Sequence, residues 1–224
     1  MIEIKGLSKT FPSGRGVVNA LCDISFSIPR GTTLAIAGKS GSGKTTLLNC
    51  IGGLECPDSG SINSFGINIH TLKKKQLSLF QRQNMGFVFQ FGNLLSFLTV
   101  EENIAFPLIL NKMYCNKERK ERVADLLEKI GLPELSSALP SELSGGEMQR
   151  IAFARAIAHH PKILIADEPT ANLDTKTGHQ LIELVSSLAK QEKCTIILST
   201  HDQELIRFTD KIVNLLDGRQ IKNE

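Results

Sequence analysis

The chain has 224 residues, 41% hydrophobic and 22% charged, an ordinary globular composition that provides for a substantial core. Its formal charge of +3 is too small an excess to point to nucleic acid. No apolar stretch approaches the roughly 20 residues that span a bilayer, and Met1-Ile2-Glu3-Ile4-Lys5 lacks a signal-peptide core, so a soluble, cytoplasmic chain is expected.

In chain order, Ile2, Ile4 and Leu7 and then Val18, Ala20, Leu21, Ile24, Phe26 and Ile28 alternate about the turn Pro12-Ser13-Gly14-Arg15-Gly16, which predicts an antiparallel hairpin. The apolar run Thr33-Leu34-Ala35-Ile36-Ala37 reads as a strand that enters the glycine-rich stretch 38–45, and a helix follows. Beyond the turn Pro57-Asp58-Ser59-Gly60, a short strand pair is expected around 61–69 and a basic helix over 71–83, with Lys73-Lys74-Lys75 as a solvated face. Met85-Gly86-Phe87-Val88-Phe89 reads as a buried strand. From 93 to 160 helical patterns dominate, including 117–130 with Val123, Leu126, Leu127 and Ile130 at helical spacing, so an inserted helical subdomain is expected. Strand patterns resume at 162–166, 195–199 and 212–216, with a helix at 176–190. The expected fold is α/β, a mostly parallel sheet with crossovers that is interrupted by a helical insert.

Gly38-Lys39-Ser40-Gly41-Ser42-Gly43-Lys44-Thr45 satisfies G-x-x-x-x-G-K-[ST] between a strand and a helix. Its glycines let backbone N–H groups turn inward around phosphate oxygens, and the helix start adds the positive end of its dipole. Lys44 is expected on the β and γ phosphates of ATP and the Thr45 hydroxyl on Mg2+, with Thr46 beside it. Ile163-Leu164-Ile165-Ala166 ends in Asp167 and Glu168, at the carboxyl end of a strand where open α/β sheets bind ligands. Asp167 is placed to hold magnesium, and Glu168 to act as general base on the water that attacks the γ phosphate. Cys22, Cys50, Cys56, Cys115 and Cys194 contain no C-x-x-C pair and read as small apolar residues. His159-His160, with no third ligand nearby, is expected to be exposed.

Leu143-Ser144-Gly145-Gly146-Glu147 resembles the signature motif of ABC-transporter ATPases. Gln90 resembles their Q-loop glutamine, Ala171-Asn172-Leu173-Asp174 their D-loop and His201 their switch histidine, so the likeness runs from Ile2 to about Gly218. It implies one ATPase domain of the P-loop NTPase class, with a RecA-like core at 1–90 and 161–224, an N-terminal antiparallel β part and a helical signature subdomain at 91–160. It further implies two cassettes facing head to tail, with Ser144, Gly145 and Gly146 holding the γ phosphate of the partner's ATP. Asp174 is then placed at the dimer interface, Gln90 near the magnesium and attacking water, and His201 near the γ phosphate and Glu168. Phe11 fits the aromatic that stacks on adenine, and a core role is its other reading.

The runs 40–49, 86–90, 93–95, 98–104 and 166–174 narrow the resemblance to the group holding the bacterial lipoprotein-releasing, macrolide-exporting and cell-division ATPases. Members of this group power permeases with few membrane spans, which implies a peripheral subunit on the cytoplasmic face of the bacterial inner membrane. Lipoprotein release is the expected output, because the sequence has the length of a free-standing subunit. Macrolide or peptide export and signalling to cell-wall hydrolases are the alternatives. Ser96, Ala171, Lys39 and Met148 depart from the group's usual residues without removing a catalytic group. A DNA-repair ATPase calls for a long coiled-coil insertion and a translation-factor ATPase for tandem cassettes, and neither is seen. The apolar segment 91–98 reads either as the groove for the permease's coupling helix or as core of the helical insert.

Overall fold

The computed structural model describes residues 1–14, 16–171 and 173–221; Arg15 of the expected turn and Asn172 of the motif at 171–174 lie outside the described residues. The regular elements are β1 (Ile2–Ser13), β2 (Gly16–Ile28), β3 (Thr33–Ala37), α1 (Lys44–Ile51), β4 (Ser59–Ser64), β5 (Ile67–Asn68), α2 (Lys74–Asn84), β6 (Met85–Val88), α3 (Val100–Leu110), α4 (Asn116–Lys129), α5 (Gly145–Ile157), β7 (Ile163–Ala166), α6 (Thr175–Gln191), β8 (Thr195–Thr200), α7 (Gln203–Ile206), β9 (Lys211–Leu216) and β10 (Arg219–Ile221). They gather into two compact units, residues 1–81 with the chain from 195 onward, and residues 82–194.

In the first unit the alternating pattern folds as an antiparallel sheet of order β2-β1-β4-β5, with Ile2 opposite Ile28 and Phe11 opposite Val18. Ile2, Ile4, Leu7, Leu21, Ile24 and Ile28 fill its covered face. β3 is buried along its whole length and runs parallel to both β8 and β9, which explains its unbroken apolar sequence. The basic helix begins later than expected. A 3-10 turn at Ile69–Thr71 comes first, Leu72 is extended, and the Gln76 side chain accepts from the Lys73 N–H at 3.1 Å, so α2 starts at Lys74. Lys73, Lys74 and Lys75 are exposed, as expected of a solvated face.

In the second unit β6 and β7 pair in parallel, and α5 buries Gln149, Ile151, Ala152, Phe153, Ala154, Ala156 and Ile157, so it is covered on nearly every side. A Cβ at Gly86 would lie 2.2 Å from the Ala156 carbonyl oxygen; glycine is what lets β6 approach α5. α3 opens on a capping box, in which Glu102 accepts from the Thr99 N–H at 2.9 Å and Thr99 from the Glu102 N–H at 3.3 Å. Fully buried Asn103 bonds the backbone of Leu95, Leu98 and Thr99, which fixes the apolar loop before α3.

The expected exposure of the pair His159-His160 needs correction. His159 is buried, donating through Nε2 to the Met85 carbonyl at 3.1 Å, because it faces β6 from the end of α5; burial pushes its pKa down to about 4. His160 alone is exposed, with its ring against the Tyr114 hydroxyl and the Glu192 carboxylate. Cys50 and Cys194 are buried, each thiol pushed up to about 12 by desolvation, and Cys56 and Cys115 are exposed.

Candidate functional site

β3 delivers the chain into the glycine loop. A Cβ at Gly38 would lie 2.5 Å from both the Leu215 carbonyl oxygen and Ser42 Oγ, and one at Gly43, whose φ is +102°, would lie 2.4 Å from the Ala20 carbonyl oxygen. Both close approaches require glycine. No side chain caps α1 and no acidic residue sits in its first turn, so the positive end of the helix dipole acts on the loop. Buried Lys44 donates to the carbonyls of Gly38 at 2.9 Å and Lys39 at 3.1 Å. The buried Ser42 hydroxyl finds no hydrogen-bond partner among the described residues. Lys39, Ser40, Gly41 and Thr45 are exposed and Thr46 is half-buried. A cradle of this kind fits a polyphosphate.

Elsewhere in the same unit, exposed His201 follows β8 and lines a cavity of about 390 Å³ with Ala37, Gly38, Lys39 and Asn214. Phe11 is half-buried on β1 rather than enclosed, and the Lys9 ammonium stands 5.1 Å from its ring centroid. Lys9 is itself held by Glu55 at 2.7 Å and by the Cys56 carbonyl at 2.8 Å.

The second unit carries the remaining candidates. β7 ends in half-buried Asp167 and Glu168; the Asp167 N–H donates to the Val88 carbonyl at 3.0 Å, and Glu168 adopts φ +42°. A left-handed glutamate two residues past a buried strand is unusual and belongs to the class of conformations that cluster at functional sites. Half-buried Gln90 lies two residues past β6. Ser144 caps α5, exposed beside Gly145, and the Glu147 carboxylate accepts from the Ser144 hydroxyl at 2.7 Å and its N–H at 2.8 Å, which holds the Glu147 pKa below the usual range. Half-buried Gly146 has room for a Cβ only at contact distance from Thr177 and Leu173, 3.5 and 3.7 Å. Exposed Asp174 caps α6 and accepts from the Thr177 N–H at 3.0 Å; hydrogen bonds from Thr177 lower its pKa. Magnesium prefers oxygen donors, and Thr45 in the first unit and Gln90 and Asp167 in the second each carry oxygen of that kind.

Two polar side chains outside the motif positions also belong here. Gln149 and Arg155 stand on α5 among apolar residues and bond the backbone around Gln90. A polar amide and a cation at core spacing in the stretch after the signature are the only sequence signal for them.

A glycine cradle at the end of a parallel strand, with paired carboxylates closing another, defines a nucleoside triphosphatase of the phosphate-loop class. The ABC transporter family profile matches residues 21–171, and the chain belongs to that family as an ATPase cassette. It is 41% identical to an uncharacterised ABC transporter ATP-binding protein of Mycobacterium tuberculosis over 99% of this chain and 89% of that one. The lipoprotein-releasing system ATP-binding protein LolD of Bacteroides fragilis is 39% identical over 99% of this chain and 100% of its own length. A cassette of Methanocaldococcus jannaschii, solved as a dimer in a post-hydrolysis state bound to ADP and phosphate, matches with a TM-score of 0.91 at 37% identity, covering 99% of this chain and 98% of that one.

Among the described residues no helix is long and apolar enough to cross a membrane.

Proposed function

We propose that this chain is the ATP-hydrolysing subunit of a bacterial transporter whose few-span permease releases outer-membrane-directed lipoproteins, seated on the cytoplasmic face of the inner membrane. The observation that carries this reading is the likeness to lipoprotein-releasing ATP-binding proteins over their full length, 39% identity over 100% of the Bacteroides fragilis protein and 40% over 98% of the Bacteroides thetaiotaomicron one. YxdL of Bacillus subtilis, 42% identical, is named only as an ABC transporter ATP-binding protein, and macrolide or peptide export is the second reading.

In this reading two cassettes pair head to tail. The loop from Gly38 to Thr46 cradles the triphosphate of ATP, Lys44 neutralises its β and γ oxygens, and Phe11 stacks on adenine with Lys9 against its ring. Thr45, Gln90 and Asp167 would hold magnesium, which would offset the negative charge that develops on the phosphate oxygens. Glu168 accepts a proton from the attacking water while His201 steadies the γ phosphate. Ser144 and the N–H groups of Gly145 and Gly146 at the start of α5 grip the partner's γ phosphate, and Asp174 lies at the shared interface. Phe91 and Phe97, 72% and 77% exposed, are the apolar contacts for the permease.

The test is capture of the Glu168→Gln variant, loaded with ATP, from detergent-solubilised host membranes. Two related permeases recovered with it support lipoprotein release. One permease with a periplasmic adaptor supports export instead, and recovery of no membrane protein overturns the transport reading.

A further inference from the structure

The helix that starts at Ser144 grips the backbone beside two of the proposed catalytic groups. Gln149, 3% exposed, donates its amide to the carbonyls of Pro169 at 2.8 Å, Gln90 at 3.2 Å and Phe89 at 3.3 Å. Further along α5, Arg155 donates through both terminal nitrogens, to the carbonyls of Asn93 and Gly92, each at 2.8 Å. One helix thus holds the carbonyls of Phe89, Gln90, Gly92 and Asn93 and that of Pro169, the residue that follows Glu168. Gln149 Oε1, by contrast, is buried with no partner among the described residues. A buried amide with half its capacity unmet is a poor core filler, and an aliphatic residue of the same volume would pack there without that penalty. What the amide supplies is a fixed distance between three segments.

We infer that Gln149 is a positioning residue, with Arg155 as its second clamp, that locks the Gln90 loop and the Glu168 turn in one register with the signature helix. The inference rests on the roles proposed above for Gln90 and Glu168. Its consequence is rigid linkage: displacement of α5 when Ser144 engages a phosphate moves the backbone of Gln90 and Pro169 with it.

A double-mutant cycle on the purified full chain tests this, with Gln149→Met, which keeps length and loses the donors, and Gln90→Ala. Each single change is expected to lower kcat about 10-fold or more, the scale of one lost transition-state contact, with KM for ATP within about twofold. The double variant is expected to lose clearly less than the product of the two single losses, because part of what Gln149 does runs through Gln90. A general packing defect would instead multiply the two losses. Multiplied losses, or a Gln149→Met rate within about twofold of the parent while Gln90→Ala is slow, overturn the role of Gln149 alone. Normal turnover by Gln90→Ala refutes the reading of Gln90 and takes the inference with it. Should Gln149→Met not fold, Arg155→Lys, which keeps the charge and loses the fork, enters the same cycle under the same criteria.

Discussion

The Lys44 ammonium donates to the Gly38 carbonyl at 2.9 Å, so the glycine loop is stitched across its own mouth by the charge proposed to meet the nucleotide. Lys44 is 5% exposed, and a buried cation of this kind is worth far more to a phosphate than one in water. Lys44→Ala is therefore expected to weaken ATP binding by about 100-fold, the scale of a few charge-assisted hydrogen bonds, as read by calorimetry. Retention of tight binding would contradict the cradle.

Phe91 and Phe97 are largely in water, whereas Leu94, Leu95 and Leu98 between and beside them are half-buried. Changing both phenylalanines to serine should shift folding stability by no more than about 0.5 kcal/mol each, as at other exposed sites. Transport in membranes is expected to fall while ATP hydrolysis by the isolated subunit persists. A variant that melts early would place the two rings in the core instead.

His159 predicts a pH dependence of folding. Its value of about 4 in the folded chain lies below the ordinary 6.5, because burial disfavours the charged form. The unfolded chain therefore binds the extra proton between those values, and stability is fully present above pH 6.5 and declines as pH falls towards 4. The loss amounts to roughly 3 kcal/mol across that window. Melting curves of the parent and of His159→Gln should diverge in acid, with the parent losing more; parallel curves would show that His159 does not titrate in this way.

β3 and β7 are legible in sequence because a strand covered on both faces has to be apolar throughout, and each gives way to residues, glycine or carboxylate, that strands disfavour. The hairpin is equally plain from its alternation. The start of α2 is not, since it is set by the Gln76 side chain reaching back to Lys73, a contact that propensity does not encode. Nor does the pair His159-His160 reveal which ring turns inward, a matter settled by the Met85 carbonyl on β6. The grip of Gln149 and Arg155 is invisible for a similar reason. Their acceptors at Gln90, Asn93 and Gly92 lie 59 to 63 positions away, and only the fold brings them together.

The most direct measurement is the steady-state ATPase rate of the purified chain with magnesium, beside that of Glu168→Gln. The parent is expected to release phosphate, and the variant to bind ATP with unchanged affinity while turning over at least about 100-fold more slowly, the scale of a lost general base. Hydrolysis by Glu168→Gln at near the parent rate would contradict the assignment of Glu168 and, with it, the account of how this cassette spends ATP.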